Sequence, residues 1–149
     1  MEFPCRIYMD KNWIYFGVFL DEKSRNKLFQ LTDKLIGNEI DNTWKKYCHH
    51  MTIAFNNGSE NVQSLYEMYE PHFGFETELL ATHIGFSDDA IAVSVEFDGI
   101  TNNKIPHITL ATPQNGKPVN SNYITKWKKL INPIHLTGVL KSFNKKINL

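Results

Sequence analysis

His49-His50-Met51-Thr52-Ile53-Ala54-Phe55 has a counterpart in the second half of the chain, Ile105-Pro106-His107-Ile108-Thr109-Leu110-Ala111. Both contain His, an apolar residue, Thr, an apolar residue and Ala in that order, and both open straight out of a loop. Side chains alternate along a β-strand, so positions i and i+2 share a face. His50 and Thr52 then lie on one face, with Met51, Ile53 and Phe55 on the other; His107 and Thr109 share a face, with Ile108 and Leu110 opposite. Each strand presents an imidazole beside a hydroxyl and has an apolar back that can anchor it in a core.

Around these two strands the pattern reads as a mixed α+β domain. Trp13–Leu20 is β-branched and aromatic, the signature of a buried strand. Asp21 offers an N-cap, and Leu28, Leu31 and Leu35 recur at helical spacing before Gly37, which predicts a helix of about four turns. The first motif strand spans 47–55 and is closed by Asn56-Asn57-Gly58. Ser59 is placed to cap a short helix carrying Val62, Leu65 and Tyr69, ended by Pro71. Segments 75–86 and 90–97 read as antiparallel strands joined through Ser87-Asp88-Asp89. A polar loop, 98–106, leads to the second motif strand, His107–Thr112. Ser121 is then predicted to cap a helix through Ile124, Trp127 and Leu130, and 134–143 forms the last strand. Each half thus holds a helix and a short strand that begins at a histidine.

The 149 residues suit a single domain, 1–149. Lys+Arg and Asp+Glu number 16 each, which argues against holding duplex DNA by phosphate neutralisation but leaves room for a small anionic ligand in a local pocket. Hydrophobic residues at 42% are enough for a core. The longest apolar run, Trp13–Leu20, falls far short of the ~20 residues a membrane span needs, and no basic segment followed by an apolar one opens the chain. Neither a membrane partner nor a signal peptide is expected. Cys5 and Cys48 match no zinc spacing, so reduced thiols in a cytoplasmic location are expected. Cys48 is read as packing rather than as a nucleophile or metal ligand. Asn occurs 15 times and Ala 5 times, which fits an AT-rich coding genome, whether of a phage or a bacterium.

Two imidazole–hydroxyl pairs make chemical sense if they meet across a cleft. In-line displacement at phosphorus needs a base on the attacking oxygen and an acid on the leaving oxygen, and histidine serves as either near neutral pH. Threonine hydroxyls can donate to the non-bridging oxygens. The scheme requires no metal or cofactor, and the chain holds no Walker loop, zinc-ligand set or Gly-x-Ser-x-Gly elbow to compete with it. A single His-x-Thr on a strand carries little weight. A third, His135-Leu136-Thr137, lies within the predicted last strand and is followed by Gly138, so His135 is read as a core or surface residue.

The paired motifs, with histidines 57 positions apart, resemble those of the two-histidine phosphoesterase superfamily. That group is similar to bacterial 2′,5′ RNA ligase-like proteins, the cyclic phosphodiesterase module of fungal tRNA ligases, and phage enzymes that degrade cyclic oligonucleotides. The stretches Tyr47-Cys48-His49-His50-Met51-Thr52, Thr82-His83-Ile84-Gly85-Phe86-Ser87-Asp88, Asn103-Lys104-Ile105-Pro106-His107-Ile108-Thr109-Leu110 and Lys117-Pro118-Val119-Asn120-Ser121-Asn122 resemble the tRNA-ligase-associated branch. The resemblance extends over about 15–140. It implies a bilobal, pseudo-symmetric α+β fold whose antiparallel sheets line a central groove, with helices outside. It also implies metal-independent chemistry at phosphodiesters next to a ribose hydroxyl, carried by His50, Thr52, His107 and Thr109. The assignment of base and acid is left open.

Other residues have weaker claims. Tyr15, Tyr47 and Phe86 are candidates to stack a nucleobase, although strand aromatics more often fill cores. Lys104 and Lys117 are candidates to attract phosphate, and Ser121 is a candidate substrate ligand beside its use as a cap. His49 adjoins His50, but alternation sends neighbouring strand residues to opposite faces, so packing or surface is expected for it; His83 is read as structural. The expected function is a phosphodiesterase acting either on 2′,3′-cyclic phosphate RNA ends or on cyclic or 2′,5′-linked oligonucleotide signals, the latter as viral counter-defence. The alternative is a non-catalytic module that sequesters a small nucleotide.

Overall fold

The computed structural model describes residues 12–35 and 42–144. Its strands are β1 (Trp13–Leu20), β2 (Lys45–Lys46), β3 (His50–Phe55), β4 (Glu76–Phe86), β5 (Ile91–Glu96), β6 (His107–Thr112) and β7 (Lys126–Asn144); its α-helices are α1 (Glu22–Leu35) and α2 (Glu60–Tyr69). The strands form one antiparallel sheet in the order β2-β6-β3-β1-β7-β4-β5, and β5 also pairs with β6. That last pairing closes six strands into a barrel, with β2 continuing the β3 edge of β6. The expected antiparallel sheets are therefore one hydrogen-bonded ring. Closure pairs the strand edges that an open sheet would leave bare.

Local chemistry explains the elements before β4. Asp21 caps α1 by accepting from the Ser24 amide at 2.8 Å, and Ser59 caps α2 by accepting from the Val62 amide. Gly37 lies outside the described residues, as does Cys5. Cross-strand partners share a face, and β1 pairs Tyr15 with Phe55, Gly17 with Thr52 and Phe19 with His50. The opposite face holds Phe16, Val18, Met51, Ile53, Ile108 and Leu110, all fully buried with Leu28 of α1 and Tyr66 of α2 in one core. Trp13 stacks on Tyr66 with ring centroids 4.6 Å apart.

The helix predicted from Ser121 through Leu130 does not form. A 3-10 turn, Pro118–Tyr123, is followed directly by β7, a strand of 19 residues. Ile124, Trp127 and Leu130 have helical spacing, but β4 needs a partner along its whole length. β7 supplies it, from Glu76↔Val139 at one end to Phe86↔Lys126 at the other. The expected one helix per half is not observed, since both described α-helices precede residue 70.

Candidate active site

The two motif strands are neighbours. β3 and β6 run antiparallel with Met51 opposite Ile108. One step along that register in each direction sets His50 opposite Thr109 and Thr52 opposite His107. The four side chains come from adjacent strands, are half-buried, and line one cavity of about 450 Å³. Tyr15, Tyr47, His49, Phe55, Asn103 and Lys117 contribute to the same wall. Gly17 faces Thr52 without a side chain, and a Cβ there would overlap the Met51 carbonyl oxygen.

The strand expected over 47–55 is interrupted before His50. Lys46 pairs with Ala111 and Met51 with Ile108, so five steps on one side match three on the other. The two extra residues form a bulge around Cys48, which adopts a left-handed φ of 50° while its amide still donates to the Thr109 carbonyl at 3.0 Å. The guanidinium of Arg25 holds this turn by donating to the Tyr47 and Cys48 carbonyls. Alternation therefore fails at His49. Its ring enters the cavity beside His50, Nδ1 to Nδ1 at 3.0 Å, instead of turning to the other face. Cys48 is fully buried and bonds to Thr32, and burial pushes its thiol up to about 11, so it is packing, not a nucleophile.

Each catalytic candidate is held by a neighbour. Ring stacking places Tyr15 4.8 Å and Phe19 5.2 Å from His50. The His107 Nδ1 lies 2.8 Å from the Ile105 carbonyl, which can only accept, so Nδ1 carries a proton and Nε2 is the nitrogen left to exchange one. Thr109 donates to the Pro118 carbonyl at 3.2 Å, and its oxygen lies 2.8 Å from the Ser121 hydroxyl. Ser121 is buried, so it positions Thr109 rather than capping a helix. Asn103, which sequence reasoning passed over, donates from Nδ2 to the Thr52 carbonyl at 3.2 Å and ties the 98–106 loop to β3.

Electrostatics favour neutral rings in this cavity. Burial, then the neighbouring His49 and His107, lower His50 to about 4. Burial lowers His107 as well, opposed by its bond to the Ile105 carbonyl, which favours the charged ring. His49 is lowered by burial and by the Arg25 and Lys141 charges.

Of the substrate-binding candidates, Tyr15 and Tyr47 line the cavity, as does Lys117. Lys104 and Ser121 line an adjoining hollow that shares His107. Phe86 is a correction: it lies in a separate hollow with residues of α1 and β7 and packs against the main core, away from both motifs. His83 bonds to the neighbouring Thr82 hydroxyl, and His135 sits exposed on β7. Among the described residues, no three His, Cys, Asp or Glu side chains cluster to hold a metal ion. No described helix is long and apolar enough to cross a membrane.

A match to a known family gives the class of protein, a phosphodiesterase of the two-histidine phosphoesterase type. Residues 30–139 match the family model described as the fungal tRNA ligase phosphodiesterase domain, and the chain belongs to that family. The family supports action on the phosphodiesters of RNA ends. No curated protein matches the chain.

Proposed function

We propose that the chain hydrolyses 2′,3′-cyclic phosphate ends of RNA by acid–base catalysis at His50 and His107, without a metal. The observation that carries this reading is the single cavity lined by His50, Thr52, His107 and Thr109. His50, whose ring resists protonation, takes the proton of the attacking water at Nε2 as the new P–O bond forms. His107, whose cation the Ile105 carbonyl favours, gives a proton from Nε2 to the ribose oxygen as its bond to phosphorus breaks. Thr52 and Thr109 donate to the non-bridging oxygens, the latter after its hydroxyl swings from the Pro118 carbonyl while Ser121 holds its oxygen in place. The negative phosphodiester raises the proton affinity of both rings when it binds. Tyr15 lines the same cavity and gives the terminal base an aromatic edge to pack against. In this reading the pseudo-symmetry of the family survives in the paired motifs, and the buried free thiol of Cys48 fits a reducing cytoplasm.

The test is multiple turnover of an RNA oligonucleotide ending in a 2′,3′-cyclic phosphate, in excess EDTA, read by mass spectrometry. Stoichiometric retention of unchanged ligand would establish the sequestering module instead. A second reading, cleavage of cyclic or 2′,5′-linked oligonucleotide signals as viral counter-defence, is favoured by the hollow beyond His107, which offers room for a further nucleotide. Including those oligonucleotides in the same assay separates the two.

A further inference from the structure

The two proposed proton-transfer rings are held at Nδ1 by different partners. His107 donates from Nδ1 to the carbonyl of Ile105, two residues before it. The residue two before His50 is Cys48, and its carbonyl accepts from the Arg25 guanidinium at 3.0 Å instead. In that carbonyl's place, the His50 Nδ1 meets the Nδ1 of His49 at 3.0 Å. We infer that His49 is a positioning residue: its Nδ1 accepts the Nδ1 proton of His50, which leaves the His50 Nε2 lone pair free to take the proton of the nucleophile. The inference rests on the acid–base reading above and adds the group that sets the tautomer of its base.

A neutral imidazole carries one proton, on Nδ1 or on Nε2, and the bond made by one nitrogen decides the state of the other. Two Nδ1 atoms at this distance share one hydrogen, so one ring donates and the other accepts. Were His49 the donor, His50 would hold its proton on Nε2 and have no lone pair for the attacking water. With His50 as donor, Nε2 is free. Burial, then the charges of Arg25 and Lys141, lowers the proton affinity of His49 and keeps its Nδ1 lone pair open. When the water's proton reaches the His50 Nε2, that ring becomes a cation with a proton on each nitrogen. Its bond to His49 is then charge-assisted, and no proton passes to His49.

The backbone is bent to make this contact. Side chains of adjacent strand residues point apart, so two neighbours cannot meet in a regular strand. Cys48 stands at a φ of 50°, a conformation uncommon for a residue with a side chain and one that clusters at functional sites. The Leu20 amide donates to the His49 carbonyl at 3.0 Å and ties it to the end of β1. The Phe19 ring stands edge-on to His49, centroids 5.4 Å apart, and stacks on His50, so one aromatic side chain braces both rings.

Long-range ¹H–¹⁵N correlation spectra of protein labelled at histidine, without substrate, read which nitrogen of His50 is protonated; its signals are assigned by their loss in His50→Asn. At neutral pH wild type is expected to show the Nδ1–H tautomer. His49→Phe keeps an aromatic ring but has no acceptor, so His50 should revert to the Nε2–H form that free histidine prefers. His49→Asn, whose Oδ1 can stand in for Nδ1, should retain Nδ1–H. In turnover of the cyclic-phosphate RNA end, His49→Phe is expected to lower kcat about tenfold or more with KM within about twofold, and His49→Asn to lose no more than about threefold. An Nε2–H tautomer in wild type, an unchanged tautomer or kcat in His49→Phe, or equal losses in the two variants overturns the inference. Should wild type turn nothing over, the acid–base reading falls, and the spectra alone decide whether His49 sets the tautomer. Should His49→Phe not fold, the wild-type and His49→Asn spectra decide it.

Discussion

Replacing His50 or His107 by alanine is expected to cut turnover by about 10²–10⁴-fold each, because each removes one of the two proposed proton-transfer groups. His135→Ala should leave the rate nearly unchanged, since that ring is exposed on β7. Assays on folded variants, checked by circular dichroism, measure both; equal damage from His135→Ala and His107→Ala would mean the wrong motif pair had been chosen. The lowered proton affinities also set a pH dependence. If His50 is the base and His107 the acid, kcat/KM rises through about pH 4 and falls through a limb below the ordinary 6.5 of imidazole, while both limbs of kcat lie higher because the bound anion favours the charged rings. Stability follows the same groups. Above about pH 6.5 neither folded nor unfolded chain protonates residue 50; from there down to about 4 the unfolded chain binds the proton and the folded one does not, so stability falls as pH falls. Urea midpoints between pH 7 and 4 should show this slope, reduced in His50→Asn. The four catalytic candidates were legible because a repeated tripeptide needs no tertiary information. His49 and Asn103 were not: one depends on a bulge and the other on where a loop lands.

At the scale of elements, β1 and β6 begin and end where their apolar patterns do, because β1 is apolar along its length and β6 alternates from its first residue. β7 was illegible from residue 126 to 133 for an identifiable reason. Between Ala81↔Ile134 and His83↔Lys129 the strand carries four residues, Leu130 to Pro133, opposite Thr82 alone. This wide bulge accommodates Pro133, which has no amide to donate, and turns Ile131 out to 96% exposure. The bulge breaks the period of two past residue 129, and Ile124, Trp127 and Leu130 fall at helical spacing although Ile124 precedes the strand. The β1–β3 pairing yields a sharper expectation. Gly17→Ala puts a methyl into the Met51 carbonyl, which no side-chain rotation relieves, so β3 has to move. The cost is expected to be about 1–3 kcal/mol in urea unfolding. Turnover should fall on the order of 10²-fold, because a shift of about 1 Å at His50 and Thr52 spoils their aim.

The closure of six strands into a ring is a property of the whole molecule, and it explains why the site needs little else. Pairing of β5 with β6 and of β3 with β6 fixes the second motif strand on both edges, so His107 and Thr109 are set by two ladders of backbone bonds. None of that long-range pairing leaves a mark in local sequence, which is why strand patterns alone do not announce a closed ring. The same architecture bears on metal dependence. His49 and His50 approach each other at Nδ1, and Cys48 precedes them, which on paper is a ligand trio. The barrel breaks it up: the bulge turns Cys48 into the core, where its sulfur meets Thr32 and the Leu110 carbonyl, while the two rings face the cavity. Burial also pushes the thiol up to about 11, in keeping with its place in the core. In the proposed reaction, charge developing on phosphorus is instead met by the hydroxyls of Thr52 and Thr109 and the imidazoles of His50 and His107. Dialysis against excess EDTA is therefore expected to leave kcat unchanged within about twofold. A loss restored specifically by zinc or manganese would show that a metal, and not the paired histidines, carries the reaction.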